Sequence, residues 1–188
     1  MIDNLCDQAE GKEIAVVGLY CDFLAQQEQS TTNMLGAILK QIVSRGRIPE
    51  YIREAFQKAK KEFGGRGLRL PDLVEIMKKV VTALPRVFIC IDALDESTPK
   101  PRRELLESLR EIVQVSPNTR LFLTGRPHAG DEIMRCFGKV ARIPISPSRD
   151  DISNYLEMRL DSDTDPDVMD DELRADIMRV IPEKISEV

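Results

Sequence analysis

Residues 87–92 read Val-Phe-Ile-Cys-Ile-Asp, five apolar side chains in succession and then a carboxylate. A strand with one wet face would alternate polar and apolar residues. A run without alternation must be covered on both faces, which is the situation of a strand inside a parallel sheet. Residues 14–23 (I-A-V-V-G-L-Y-C-D-F) and 120–124 (R-L-F-L-T) have the same character. A fourth strand is expected at 139–144 (K-V-A-R-I-P).

Between the strands the apolar residues recur at helical spacing. Ser30 to Thr32 offer N-cap hydroxyls to a helix carrying Met34, Leu35, Ile38, Leu39, Ile42 and Val43, stopped by Gly46. Pro49 opens a second helix to about residue 63, and 64–67 (G-G-R-G) reads as a loop. Pro71 opens a third helix with Leu73, Met77, Val80, Val81 and Leu84 on one face. Residues 93–101 read as a loop, 102–115 as a helix and 130–137 as a short one. From Ser148 a further helix places Ile152, Tyr155, Leu156 and Leu160 on one side, before an acidic linker at 161–171 and one or two short closing helices. Residues 1–11 read as the end of a helix. Strands alternating with helices predict an α/β fold with a mostly parallel sheet and right-handed crossovers. The expected organisation is a core over 1–147 and the start of a helical extension over 148–188.

Composition removes several function classes. The net charge is −5 with no basic face, so a nucleic-acid footprint is not expected. No apolar run approaches the length of a membrane span, and the N-terminus is no signal peptide. Cys6, Cys21, Cys90 and Cys136 are widely spaced, which argues against a zinc site or disulfide framework and for a reducing cytoplasmic setting.

In open parallel sheets ligands gather at the carboxyl ends of the strands. There the sequence places Asp92, Asp95 and Glu96, three carboxylates within five residues of one strand end. Carboxylates beside an apolar strand need compensation, and magnesium held through carboxylate, water and phosphate supplies it. The alternative is that the acids cap the following helix. The strand at 120–124 ends in Thr124-Gly125-Arg126-Pro127, and an arginine there suits a phosphate because its planar fork meets two oxygens. His128 has no Ser or Cys nucleophile nearby and reads as a loop residue; Lys58, Lys60 and Lys61 read as a solvated face, and the methionines as core filler.

D-A-L-D-E at 92–96 resembles the Walker B motif of NACHT-type STAND P-loop NTPases, and T-G-R-P at 124–127 resembles their sensor-1 segment. With L-Y-C-D-F at 19–23 and T-T-N-M-L-G-A-I-L-K-Q-I at 31–42, the chain is similar over nearly its whole length to nephrocystin-type NTPase domains of fungal proteins with ankyrin or WD repeats. The resemblance implies a three-layer α/β/α P-loop fold. It assigns Asp92 to magnesium, Asp95 and Glu96 to catalysis, and Thr124 and Arg126 to the nucleotide. It implies an ATP- or GTP-driven switch acting through protein partners or self-association, away from nucleic acid and membrane. Gly125 departs from the pattern, where Ser is common. The larger departure is that no G-x-x-x-x-G-K-S/T loop occurs: at Gly11-Lys12 the first glycine is replaced by Cys6 and the hydroxyl by Glu13. The strand that carries that loop would lie between the 120–124 strand and the last one. The expectation is that this chain alone neither holds nor hydrolyses a nucleotide, and that 139–144 lacks its neighbour.

Overall fold

A computed structural model describes residues 2–9, 13–44, 46, 48–62, 67–162 and 170–185. The Gly11-Lys12 pair, most of the 64–67 loop, most of the acidic linker and the last three residues lie outside the described residues. The chain divides into two compact units, Met1–Val140 and Ala141–Val188.

The first unit carries α1 (Ile2–Ala9), β1 (Ile14–Tyr20), α2 (Thr31–Val43), α3 (Glu50–Glu62), α4 (Leu70–Thr82), β2 (Arg86–Asp92), α5 (Pro99–Val115), β3 (Thr119–Leu123) and α6 (Pro127–Phe137). Short 3-10 turns at Phe23–Ala25 and Leu94–Glu96 follow β1 and β2. The sheet is parallel in the order β1-β2-β3, with Gly18 opposite Cys90 and Cys90 opposite Phe122. It is an α/β fold with helices on both faces of the sheet.

The pleat explains the layering. Ala15, Val17, Val87, Ile89 and Ile91 share one face and are sealed by Leu35, Ile38, Leu73, Met77, Leu105 and Leu109 from α2, α4 and α5. Val16 and Cys90 are buried on the other face. There a Cβ added at Gly18 would stand 3.3 Å from the Ile2 side chain, so glycine lets α1 approach. Each fully buried leucine is worth roughly 2–5 kcal/mol against truncation to alanine.

The β1 edge is closed by a side chain. Gln41 Oε1 accepts from Gly18 N at 3.0 Å and Gln41 Nε2 donates to Gly18 O at 2.8 Å. The amide of a helix residue thus replaces the peptide of a neighbouring strand. Such a plug blunts an edge that could otherwise pair with another chain.

Several expectations are corrected. No strand forms at 139–144; residues 141–148 are irregular and exposed, with Ile143 81% accessible. A strand needs a neighbour for its backbone groups, and among the described residues none pairs outside β3. The first strand stops at Tyr20, because Asp22 accepts from Leu24 N and caps a 3-10 turn. α5 begins at Pro99 and α6 at Pro127, since proline is tolerated in a first helical turn where its missing N–H costs nothing. His128 therefore lies on a helix, not in a loop. Met34 and Met77 fill the core, but Met134 and Met158 are exposed.

The second unit contains α7 (Arg149–Asp161) and α8 (Asp171–Ile185). Ser148 and Asp151 form a reciprocal capping box at the start of α7. Ile152 is buried, whereas Tyr155, expected on the same face, is exposed. Arg174 Nη2 meets Asp161 Oδ1 at 2.5 Å between the two helices.

Candidate functional site

The three acids meet three different elements. Asp92 ends β2, and its Oδ1 accepts a short hydrogen bond from Thr124 Oγ1 at the tip of β3. The same hydroxyl oxygen accepts from Ala93 N at 3.0 Å, and Thr124 O accepts from Leu94 N at 2.9 Å. These bonds hold Ala93 in the left-handed region at φ 52°, ψ 44°. For a residue with a Cβ that conformation costs about 1–2 kcal/mol, so the β3 tip sustains local strain in the acid loop.

Asp95 faces the start of α6. Its Oδ1 accepts from Arg126 N at 3.1 Å, and its Oδ2 lies 3.4 Å from Arg126 Nε. Arg126 is the N-cap of α6 and supplies no side-chain cap of its own. Asp95 satisfies that donor from a neighbouring loop, in the position where a negative charge complements the helix dipole. A Cβ at Gly125 would come within 3.2 Å of Asp95 Oδ1. The glycine that departs from the family pattern thus gives the carboxylate room. Glu96 faces the other way: its Oε2 accepts from Phe23 N at 3.0 Å, and its carbonyl accepts from Gln26 Nε2 at 2.6 Å.

All five residues expected at the site, Asp92, Asp95, Glu96, Thr124 and Arg126, therefore gather at the carboxyl ends of the strands. They act as latches between strand tips as well as a source of charge. Cys21 registers that charge. Its buried thiol is pushed up to about 11, first by burial and then by the carboxylates of Glu96, Asp92 and Asp95; Arg102 pulls the other way.

Three participants were not apparent from motif reading. Arg102 is buried at the start of α5 and donates to the carbonyls of Asp95 and Ser97. Its place at i with Leu105, Leu109 and Ile112 on the core face was the available signal. Ser97 is buried, and its hydroxyl lacks a hydrogen-bond partner among the described residues. Gln26 ties the β1 loop to the acid loop. A cleft of about 460 Å³ opens here, lined by Phe23, Asp95, Glu96, Ser97, Arg102 and Arg126 among others.

Hard oxygen donors under a negative potential fit a magnesium-class cation better than a soft metal. Among the described residues no group of three or more His, Cys, Asp or Glu side chains is arranged to hold a metal alone. The residues fit an ion that takes one or two oxygens from protein and the rest from water and phosphate.

Residues 1–126 match the family model described as nephrocystin 3, N-terminal, and the match runs from α1 to the arginine after β3. The chain belongs to this family. In this nephrocystin 3 N-terminal domain the acid loop and the β3 tip lie wholly within the matched region. No curated protein matches the chain. Among solved structures, a Walker-type ATPase of Pyrococcus abyssi is similar at 17% identity and a TM-score of 0.36, over 98% of this chain and 63% of that one. The chain thus spans 63% of that ATPase's length. No helix among the described residues is long and apolar enough to cross a membrane.

Proposed function

We propose that this chain provides the magnesium-binding and phosphate-sensing half of a NACHT-type STAND nucleotide switch. The observation that supports this most is the pairing of Asp92 with Thr124 and of Asp95 with Arg126 at the ends of adjacent parallel strands. In this reading Asp92 offers a carboxylate oxygen to the ion, either directly or through water. When bound, magnesium would neutralise charge on ATP or GTP phosphates. Thr124 orients Asp92 by its hydroxyl. Arg126, 76% exposed at its side chain and held loosely by Asp95, is free to turn its fork toward a terminal phosphate. Transfer of the Arg126 guanidinium from carboxylate to phosphate would remove its ion pair with Asp95, leaving the Arg126 N bond in place, and such a local charge exchange is the kind that biases a two-state element.

The 188 residues contain no glycine-rich phosphate loop, so most ground-state contacts to a nucleotide are missing. We infer weak or absent nucleotide binding and no appreciable hydrolysis by this chain alone. The switch would act in an intracellular protein bearing repeats that recognise a partner.

A second reading, a protein-interaction module, is favoured by the asymmetry of the sheet edges. Gln41 closes the β1 edge. On β3, Asn118 O and Thr124 N bond to β2, so the backbone groups of Leu121 and Leu123 face away from it. An edge of this kind accepts an added strand.

Manganese titration followed by amide NMR tests the first reading even when binding is weak. Paramagnetic broadening is expected at residues 92–96 and 124–126 and is lost in Asp92→Asn. Broadening confined to exposed acids elsewhere contradicts it.

A further inference from the structure

Arg102 is the one cationic residue buried among the described residues, at 9% exposure for the whole residue. A guanidinium placed there loses hydration, and bonds from its N–H groups must offset that loss. Its Nη1 donates to Ser97 O at 2.9 Å and Asp95 O at 3.3 Å, two carbonyls of the acid loop. Its Nε donates to Glu132 Oε2 at 2.5 Å, in the middle of α6. The two partners are 11% and 21% exposed, which places the pair largely out of water. α6 is thus joined to the acid loop twice, by Asp95 at its N-cap and by Glu132 in its second turn.

We propose that Arg102 is a positioning residue for the acid site, and that its pair with Glu132 makes α6 and residues 93–98 move as one body. The proposal rests on the reading of the acids as the metal site, and it assigns how that site is regulated. A displacement of α6 passes through Glu132 to the guanidinium and from there to the carbonyls of Asp95 and Ser97. The acids change position together with the helix. A lysine could pair with Glu132, but its single ammonium cannot span the carboxylate and both carbonyls.

Amide hydrogen exchange on the whole chain tests the coupling without a ligand. Glu96 N and Ser97 N bond to Ala93 O at 2.9 Å and Leu94 O at 3.3 Å, so they report the loop directly. In Glu132→Gln, which keeps the side-chain shape, these two amides are expected to exchange about tenfold faster. Amides of β1 and α4 keep their rates. Arg102→Lys is expected to speed the same loop amides while leaving the middle of α6 protected. In Glu132→Gln the manganese broadening at residues 92–96 is expected to weaken about threefold, a readout that loss of a purely structural ion pair would not move. Wild-type exchange at Glu96 and Ser97 in both variants overturns the proposal. Faster exchange in the variants, with no manganese broadening at Asp92 in the wild type, leaves the coupling standing and removes only the metal reading.

Discussion

The hydroxyl of Thr124 donates to the carboxylate of Asp92 and accepts the amide of Ala93, so one oxygen atom fixes both the last residue of β2 and the strained residue after it. Thr124→Val removes both bonds at constant volume. It leaves a half-buried carboxylate and an amide without partners, at a cost of about 1–3 kcal/mol. Thr124→Ser is expected to retain most of that stability. Urea denaturation of the two variants measures the difference, and a valine variant as stable as the serine one contradicts the role given to the hydroxyl.

Ala93 carries the backbone strain of the loop at φ 52°. Glycine relieves a cost of about 1–2 kcal/mol but loses about 0.5–1 kcal/mol to unfolded-state entropy. Ala93→Gly is expected to raise stability slightly and Ala93→Val to lower it by more than 1 kcal/mol, as roughly estimated for a β-branched residue in this region. A stabilising valine contradicts the left-handed geometry.

Gln41 is the guard of the β1 edge. Gln41→Leu keeps the helix and removes both bonds to Gly18. A loss of about 1–3 kcal/mol is expected from the unpaired backbone groups. Self-association at high concentration, read by sedimentation velocity, should rise with it. A monomeric variant of unchanged stability shows that water replaces the amide at no cost.

Cys21 gives the site a pH signature. Its thiol titrates near 9.0 ordinarily and near 11 in the fold. Between these values the folded chain holds a proton that the unfolded chain has lost. Stability therefore falls as pH rises from about 9 to about 11, and the contribution is complete below 9. Cys21→Ala is expected to flatten this part of the stability profile. The same group predicts slow alkylation of Cys21 at neutral pH, since the thiolate is the nucleophile.

Much of the fold was legible because burial on two faces leaves unbroken apolar runs. β1, β2 and β3 all stand where such runs stand. The segment at 139–144 is broken by Lys139 and Arg142 and has no partner, and strand formation depends on a neighbour that composition does not reveal. α5 and α6 start earlier than their apolar spacing suggests, because Pro99 and Pro127, loop residues by composition, stand in a first turn. At the candidate site, Asp92, Asp95, Glu96 and Arg126 are visible because charge at a strand end is conspicuous, and Thr124 because a polar residue ends an apolar strand. Gln41 and Arg102 were hidden because each is a polar residue on an otherwise apolar helix face, and only the fold shows which acceptors lie opposite.

Calorimetric titration of the chain with magnesium-ATP and magnesium-GTP, alongside Asp92→Asn, tests the central claim most directly. The account predicts that neither nucleotide binds the wild type in the micromolar range, because the acids and Arg126 orient a phosphate that other residues must cradle. Micromolar binding by the wild type that disappears in Asp92→Asn would contradict it and make this chain a complete nucleotide site.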